Sequence, residues 1–104
     1  MPNFGTPWIR NNLLKCPDQP PIRLDTPAWF AWLETISLFC YQPPDWPVRV
    51  TLRKEKRRQQ FYWYAYLKKQ GKLHNMYIGK TETLTAARLQ QVAETLRSKA
   101  RQSR

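Results

Sequence analysis

The feature that most constrains this chain is the alternation of apolar and polar side chains in successive segments between residues 48 and 78. In Val48-Arg49-Val50-Thr51-Leu52-Arg53 every second side chain is apolar and the others are polar. Successive side chains of a β-strand point to opposite faces, so this pattern predicts a half-buried strand over 48–55. The segment FYWYAYLKK (61–69) repeats it, with Trp63, Ala65 and Leu67 in one set and Tyr62, Tyr64, Tyr66 and Lys68 in the other. Gly71 in the turn QGK (70–72) suits a hairpin, and LHNMYI (73–78) reads as a third strand, Met76 and Ile78 alternating with Asn75 and Tyr77. KRRQQ (56–60) is expected to be a polar connection between the first two. One choice of parity makes Val48, Val50, Leu52, Trp63, Ala65, Leu67, Met76 and Ile78 a single apolar face. The opposite face then carries Arg49, Thr51, Arg53, Tyr62, Tyr64, Tyr66, Lys68, Asn75 and Tyr77.

An apolar sheet face must be covered. Residues 85–100 supply a helix for it: Ala86, Leu89, Val92, Ala93, Leu96 and Ala100 recur at helical spacing, and Thr85 suits the N-cap. A shorter helix is predicted over 25–36, capped by Asp25 or Thr26, with Pro27 in its first turn and Trp29, Trp32, Leu33 and Ile36 on one face. SLFCYQ (37–42) reads as another strand, followed by a turn at PPDWP, whose prolines remove amide donors. Residues 1–24 carry five prolines without steady periodicity and are expected to form an irregular arm. The expected fold is α+β: an antiparallel three- to four-stranded sheet, a C-terminal helix on one face and a short N-terminal helix. The expected organisation is a Pro-rich arm (1–24), one domain (25–100) and a basic tail (101–104).

Charge is sorted along the chain. The formal net charge is +11. Residues 1–48 hold Arg10, Lys15 and Arg23 against four acids, whereas 49–104 hold fifteen Lys or Arg against Glu55, Glu82 and Glu94. Solubility needs only a modest net charge, so this concentration implies a polyanionic partner, with nucleic acid ahead of anionic lipid. Arg and Lys neutralise phosphates, Arg and Asn can read base edges, and Tyr offers both a hydroxyl and a ring. Lys69, Lys72 and Lys80, around the last strand, join the candidate contacts.

The block from Trp63 to Leu96 resembles the three-stranded-sheet-plus-helix DNA-binding domain of plant ethylene-response-type factors. It is similar also to the arm-binding domains of tyrosine recombinases. Trp63, Ala65 and Leu67 match one strand of that pattern, Tyr77, Ile78 and Gly79 the next, and Ala86, Ala87 and Ala93 echo the helix. The resemblance implies that the sheet face away from the helix enters the major groove. Its contacts would come from Arg49, Arg53, Tyr64, Tyr66, Lys68, Asn75 and Tyr77. The plant pattern has an acid where Tyr66 stands and an arginine where Asn75 stands, so base preference is not carried over. The same block resembles segments of bacterial regulators and mobile-element proteins.

Other chemistry finds little support. Glu55, Glu82 and Glu94 form no paired-carboxylate motif, His74 is the one histidine, and IGKT (78–81) lacks the upstream glycine of a phosphate loop. No catalytic residue, metal or cofactor is expected. Cys16, in the Pro-rich stretch, is expected to be exposed, and Cys40, in the apolar run, to be a buried thiol. No apolar run is long enough for a bilayer and no signal-peptide pattern opens the chain, so a cytoplasmic location is expected. The leading expectation is thus a small double-stranded DNA-binding protein, a transcriptional regulator or mobile-element accessory factor. RNA binding by the same face, or a protein partner held through the Trp-rich N-terminal half, are the alternatives.

Overall fold

The computed structural model describes residues 6–17, 19–44 and 46–102, the last without its side chain. Alternating apolar and Tyr side chains over 61–67 build the centre of the longest strand, the ten-residue β6 (Gln60–Lys69). β5 (Val50–Arg57) and β7 (Lys72–Gly79) flank it antiparallel. β4 (Leu38–Tyr41) continues the sheet beside β5. Helix α1 (Pro27–Thr35) precedes β4, and α2 (Ala86–Gln102) ends the described chain.

The sheet is larger than the sequence suggested. Residues of the expected irregular arm form three more strands, β1 (Trp8–Arg10), β2 (Leu13–Lys15) and β3 (Ile22–Arg23). The order is β3-β2-β1-β4-β5-β6-β7, seven strands instead of three to four. It is also mixed, because β1 runs parallel to β4 while every other neighbouring pair is antiparallel. Strands of two or three residues are too short for alternation to register. One local signal does mark them. Asn11 and Asn12 take positive φ (56° and 62°), the two-residue reversal that favours Asn in a hairpin. The pairing Trp8↔Lys15 and Arg10↔Leu13 closes around it. The arm therefore widens the sheet and, over its described residues, does not lie across it.

Register places one apolar layer on a single side. Phe39, Leu52, Ala65 and Met76 fall in one cross-strand row, and Ile22, Leu14, Ile9, Tyr41, Val50 and Leu67 in the next. Both helices pack here: Trp29 and Leu33 of α1 and Leu89, Val92, Ala93 and Leu96 of α2 are buried with the inward strand residues in one core. Trp29, Trp32, Phe39 and Trp63 make a run of ring contacts with centroids 5.2–5.8 Å apart. The indole N–H groups of Trp29 and Trp63 each have a partner. Trp29 Nε1 donates to the Leu84 carbonyl at 2.7 Å and Trp63 Nε1 to Thr81 Oγ1 at 3.1 Å, so both rings pin the link between β7 and α2.

The caps join distant segments. Thr26 Oγ1 accepts from Trp29 N–H at the start of α1, and Thr85 Oγ1 from Arg88 N–H at the start of α2. The Asp25 carboxylate does not cap its own helix. It accepts the Ala86 N–H of α2 at 2.8 Å, 61 residues on, where negative charge also suits the helix dipole. At the other end of α1, Lys54 Nζ donates to the Leu33 carbonyl at 2.8 Å and lies 5.6 Å and 5.4 Å from the Phe61 and Trp63 ring centroids. Cys40 is buried as expected, but Cys16 is half-buried against the core, not exposed. Burial pushes its thiol pKa up, partly offset by a hydrogen bond with Trp32. The expected tail begins inside a helix, since α2 runs to Gln102. Ser103 and Arg104 lie outside the described residues.

Candidate nucleic-acid interface

The helices occupy one face, and the other is left open across the sheet. Its side chains follow from the register. Arg53 stands between Leu38 of β4 and Tyr64 of β6, and Tyr64 faces Tyr77 of β7. In the next row Cys40, Thr51, Tyr66 and Asn75 line up, with Lys68 opposite Leu73 beyond them. Toward the other end Glu55 faces Tyr62 and Arg57 faces Gln60. Thr51, Arg53, Tyr62, Tyr64, Tyr66, Lys68, Asn75 and Tyr77 therefore share one surface. Tyr77 and Leu73 are 52% and 62% exposed there.

Four expected contact residues lie elsewhere. Arg49 is exposed but precedes β5, which begins at Val50 after Pro47. Lys69 and Lys72 pair across the β6–β7 hairpin on the helix side, where the Lys69 ammonium sits 5.7 Å from the Trp46 ring. Lys80 is exposed past the end of β7, ahead of a short 3-10 turn over Thr81–Thr83. His74 pairs with Leu67, is half-buried and also belongs to the helix side.

A hydrogen-bonded network organises the open face. Glu55 Oε2 accepts the Tyr66 hydroxyl at 2.5 Å, and Glu55 Oε1 accepts Arg57 Nη2 at 2.8 Å. The Arg57 guanidinium also lies over the Tyr64 ring at 5.4 Å, and its Nε donates to the Tyr64 hydroxyl at 3.5 Å. Tyr77 packs edge-on against Tyr64 with centroids 5.5 Å apart and tilted against Tyr62 at 5.9 Å. The donation to Glu55, with some desolvation, raises the Tyr66 pKa above its ordinary value. The tyrosines are thus held in fixed orientations, which lowers the entropy cost of placing a ligand on them.

Sequence reasoning missed two parts of this surface. Arg57 falls in the expected polar connection 56–60, yet it extends the alternation 49, 51, 53, 55, 57, and continuing that period by two residues finds it. The second part is N-terminal. Trp8, Arg10, Leu13, Lys15 and Arg23 project from β1–β3 on the same side as Thr51 and Arg53. Trp8 is 36% exposed, with Arg10 Cζ at 5.4 Å and Lys15 Nζ at 5.6 Å from its ring centroid. The open side is therefore basic from β3 to β6, although Lys54, Lys69 and Lys72 and the cations of α2 stand on the helix side. Cations at 10, 15, 23, 53, 57 and 68 share the open side with Glu55, while Asp25 is committed to α2.

Among the described residues, no three of His, Cys, Asp and Glu come together in a way that would hold a metal ion. No helix among them is long and apolar enough to cross a membrane. Comparison with family models, with curated proteins and with solved structures found no match to this chain.

Proposed function

We propose that this protein binds double-stranded DNA through the open face of its sheet, as a small regulator or an accessory factor of a mobile element. The observation that carries the reading is that cations and tyrosines stand together on the sheet face turned away from both helices. Arg53, Arg57, Lys68 and a cluster of tyrosines stand opposite the two helices, on a surface no described segment covers. Cations at such positions neutralise phosphates and release counterions, while hydroxyls and amides position the backbone or meet base edges. Tyr62, Tyr64 and Tyr77, braced against one another, present edges to sugars and thymine methyl groups.

One observation favours a second reading, single-stranded RNA. Seven strands at about 4.8 Å spacing make the sheet roughly 29 Å across, wider than the about 12 Å of a major groove. A broad face carrying exposed Trp8 and Tyr77 suits splayed bases stacking on rings. A protein partner held by a Trp-rich surface has less to recommend it, because Trp29 and Trp46 are buried and Trp32 is packed on the core.

The deciding experiment titrates the chain with duplex DNA, single-stranded DNA and structured RNA over a salt series. Duplex binding should be tightest, with log K falling by about 0.9 per neutralised phosphate for each unit of log salt. Arg53→Ala and Lys68→Ala should weaken it without changing the unfolding midpoint. Equal or tighter binding to single strands would replace this reading by the RNA one.

A further inference from the structure

The sheet is not equally wide along its length. β4 pairs with β5 only through Arg53, and the last pair between β6 and β7 is Trp63↔Gly79. Beyond them β5 and β6 continue alone through Glu55↔Tyr62, Lys56↔Phe61 and Arg57↔Gln60. Three pairs at about 3.4 Å per residue make a two-stranded ribbon projecting about 10 Å, closed by Arg58 and Gln59.

Three features of this ribbon add little to the packing of the chain. First, the Lys56 and Arg58 side chains have no hydrogen-bond or ion-pair partner among the described residues, and with Gln59 they line an open concavity at the tip. Second, Phe61 is 52% exposed on the ribbon's helix-side face. Third, the tip turn is built against local preference. Arg58 and Gln59 sit at φ 59° and 118°, where a two-residue hairpin favours Asn and Gly. The β6–β7 hairpin of the same protein also holds a glutamine, Gln70, at φ 54° in the first position, but fills the second with Gly71 at φ 80°, where the ribbon has Gln59. Two long polar side chains held in a left-handed turn are a local cost without a packing return, and such outliers point to function.

We infer that this ribbon is the element that enters the major groove of duplex DNA. Arg58 and Gln59 face base edges, and Lys56 and Arg57 meet the phosphates on either side. A groove about 12 Å wide and about 8.5 Å deep admits a two-stranded ribbon of this length but not the full sheet. Adjacent residues of a strand project to opposite faces, so Lys56 and Arg57 point toward opposite walls of the groove. Arg and Gln are side chains that pair with guanine and adenine edges respectively. The rest of the open face then lies against the backbone outside the groove. The inference rests on the duplex reading above.

The test is the double replacement Arg58→Asn with Gln59→Gly in the full chain. It installs the preferred turn while removing both tip side chains. The unfolding midpoint should stay the same or rise. Affinity for a preferred duplex should fall roughly tenfold or more, with discrimination between duplex sequences lost. Lys56→Ala should instead weaken all duplexes alike and lower the salt slope by about one. If the double variant keeps the original affinity and discrimination while Arg53→Ala loses binding, the ribbon is not the groove element and the face reading stands. If the unaltered chain binds no duplex at low salt, both fall.

Discussion

Trp63 and Tyr64 are neighbours with opposite duties. Trp63 is fully buried between Phe39 and the β7–α2 link, whereas Tyr64 packs on Tyr77 and under Arg57 on the open face. Trp63→Ala should cost about 3–5 kcal/mol in urea unfolding, as large core truncations do, and also strand Thr81 without its donor. Tyr64→Ala should cost only about 1 kcal/mol, the scale of an aromatic pair. Tyr66 adds a pH dependence. Its hydroxyl donates to Glu55, so the folded state favours the protonated phenol and holds its pKa above the unfolded value. That contribution is intact below about pH 10, the ordinary tyrosine value, and is lost as pH rises through the raised folded pKa. Thermal unfolding of the protein between pH 8 and 11 should therefore fall more steeply than that of Tyr66→Phe. Parallel curves would mean that the hydrogen bond contributes nothing.

The element with the tightest geometry is the end of β7. Gly79 pairs with Trp63 across an irregularity in the ladder at Trp63/Tyr64, and takes φ 141°, which side chains rarely adopt. A Cβ there would meet Thr83 Oγ1 at 3.0 Å. The glycine lets the chain leave the strand and enter the turn whose Thr81 and Leu84 receive the two indole N–H groups. Gly79→Ala should destabilise by about 1–3 kcal/mol, combining a strained backbone with the close contact. Gly71→Ala, at φ 80° with open space around the new methyl, should incur the backbone cost alone. Equal melting points for the two variants would show that the contact with Thr83 is relieved at no cost. Most of this element was readable: the alternation of 73–78 and the stop at glycine are in the sequence. The bulge and its partner Thr83 are not, because they depend on where Trp63 sits across the ladder.

At the scale of the molecule, the N-terminal strands are structural. Ile9, Leu14 and Leu24 are buried in the common core, and β1 covers the edge of β4 through Cys40 N–H to the Pro7 carbonyl and Gln42 N–H to the Ile9 carbonyl, each at 3.0 Å. Removing residues 1–24 exposes that edge and opens the core beside Tyr41. It also removes the cations at 10, 15 and 23 from the open face. The shortened chain should lose cooperative thermal unfolding or aggregate, as unprotected edges do. A sharp, unshifted transition would show that residues 25–102 fold independently.

The long strands, the inward and outward sets of β5, β6 and β7, and the covering helix α2 were determined by the sequence alone. Period-two and period-3.6 patterns over eight or more residues leave one way to bury apolar area. The excess of positive charge after residue 48 was equally plain. Only the tertiary structure decided that the proline-rich start becomes strands β1–β3, because pairing of two or three residues is stabilised by neighbours and not by local pattern. It decided, too, that Asp25 caps α2 and that Lys69 turns toward Trp46. Above all it decided the outline of the sheet. Where β4 stops beside β5, and where β7 leaves β6, is set by long-range register, and that register leaves Lys56, Arg57, Arg58 and Gln59 on a free ribbon.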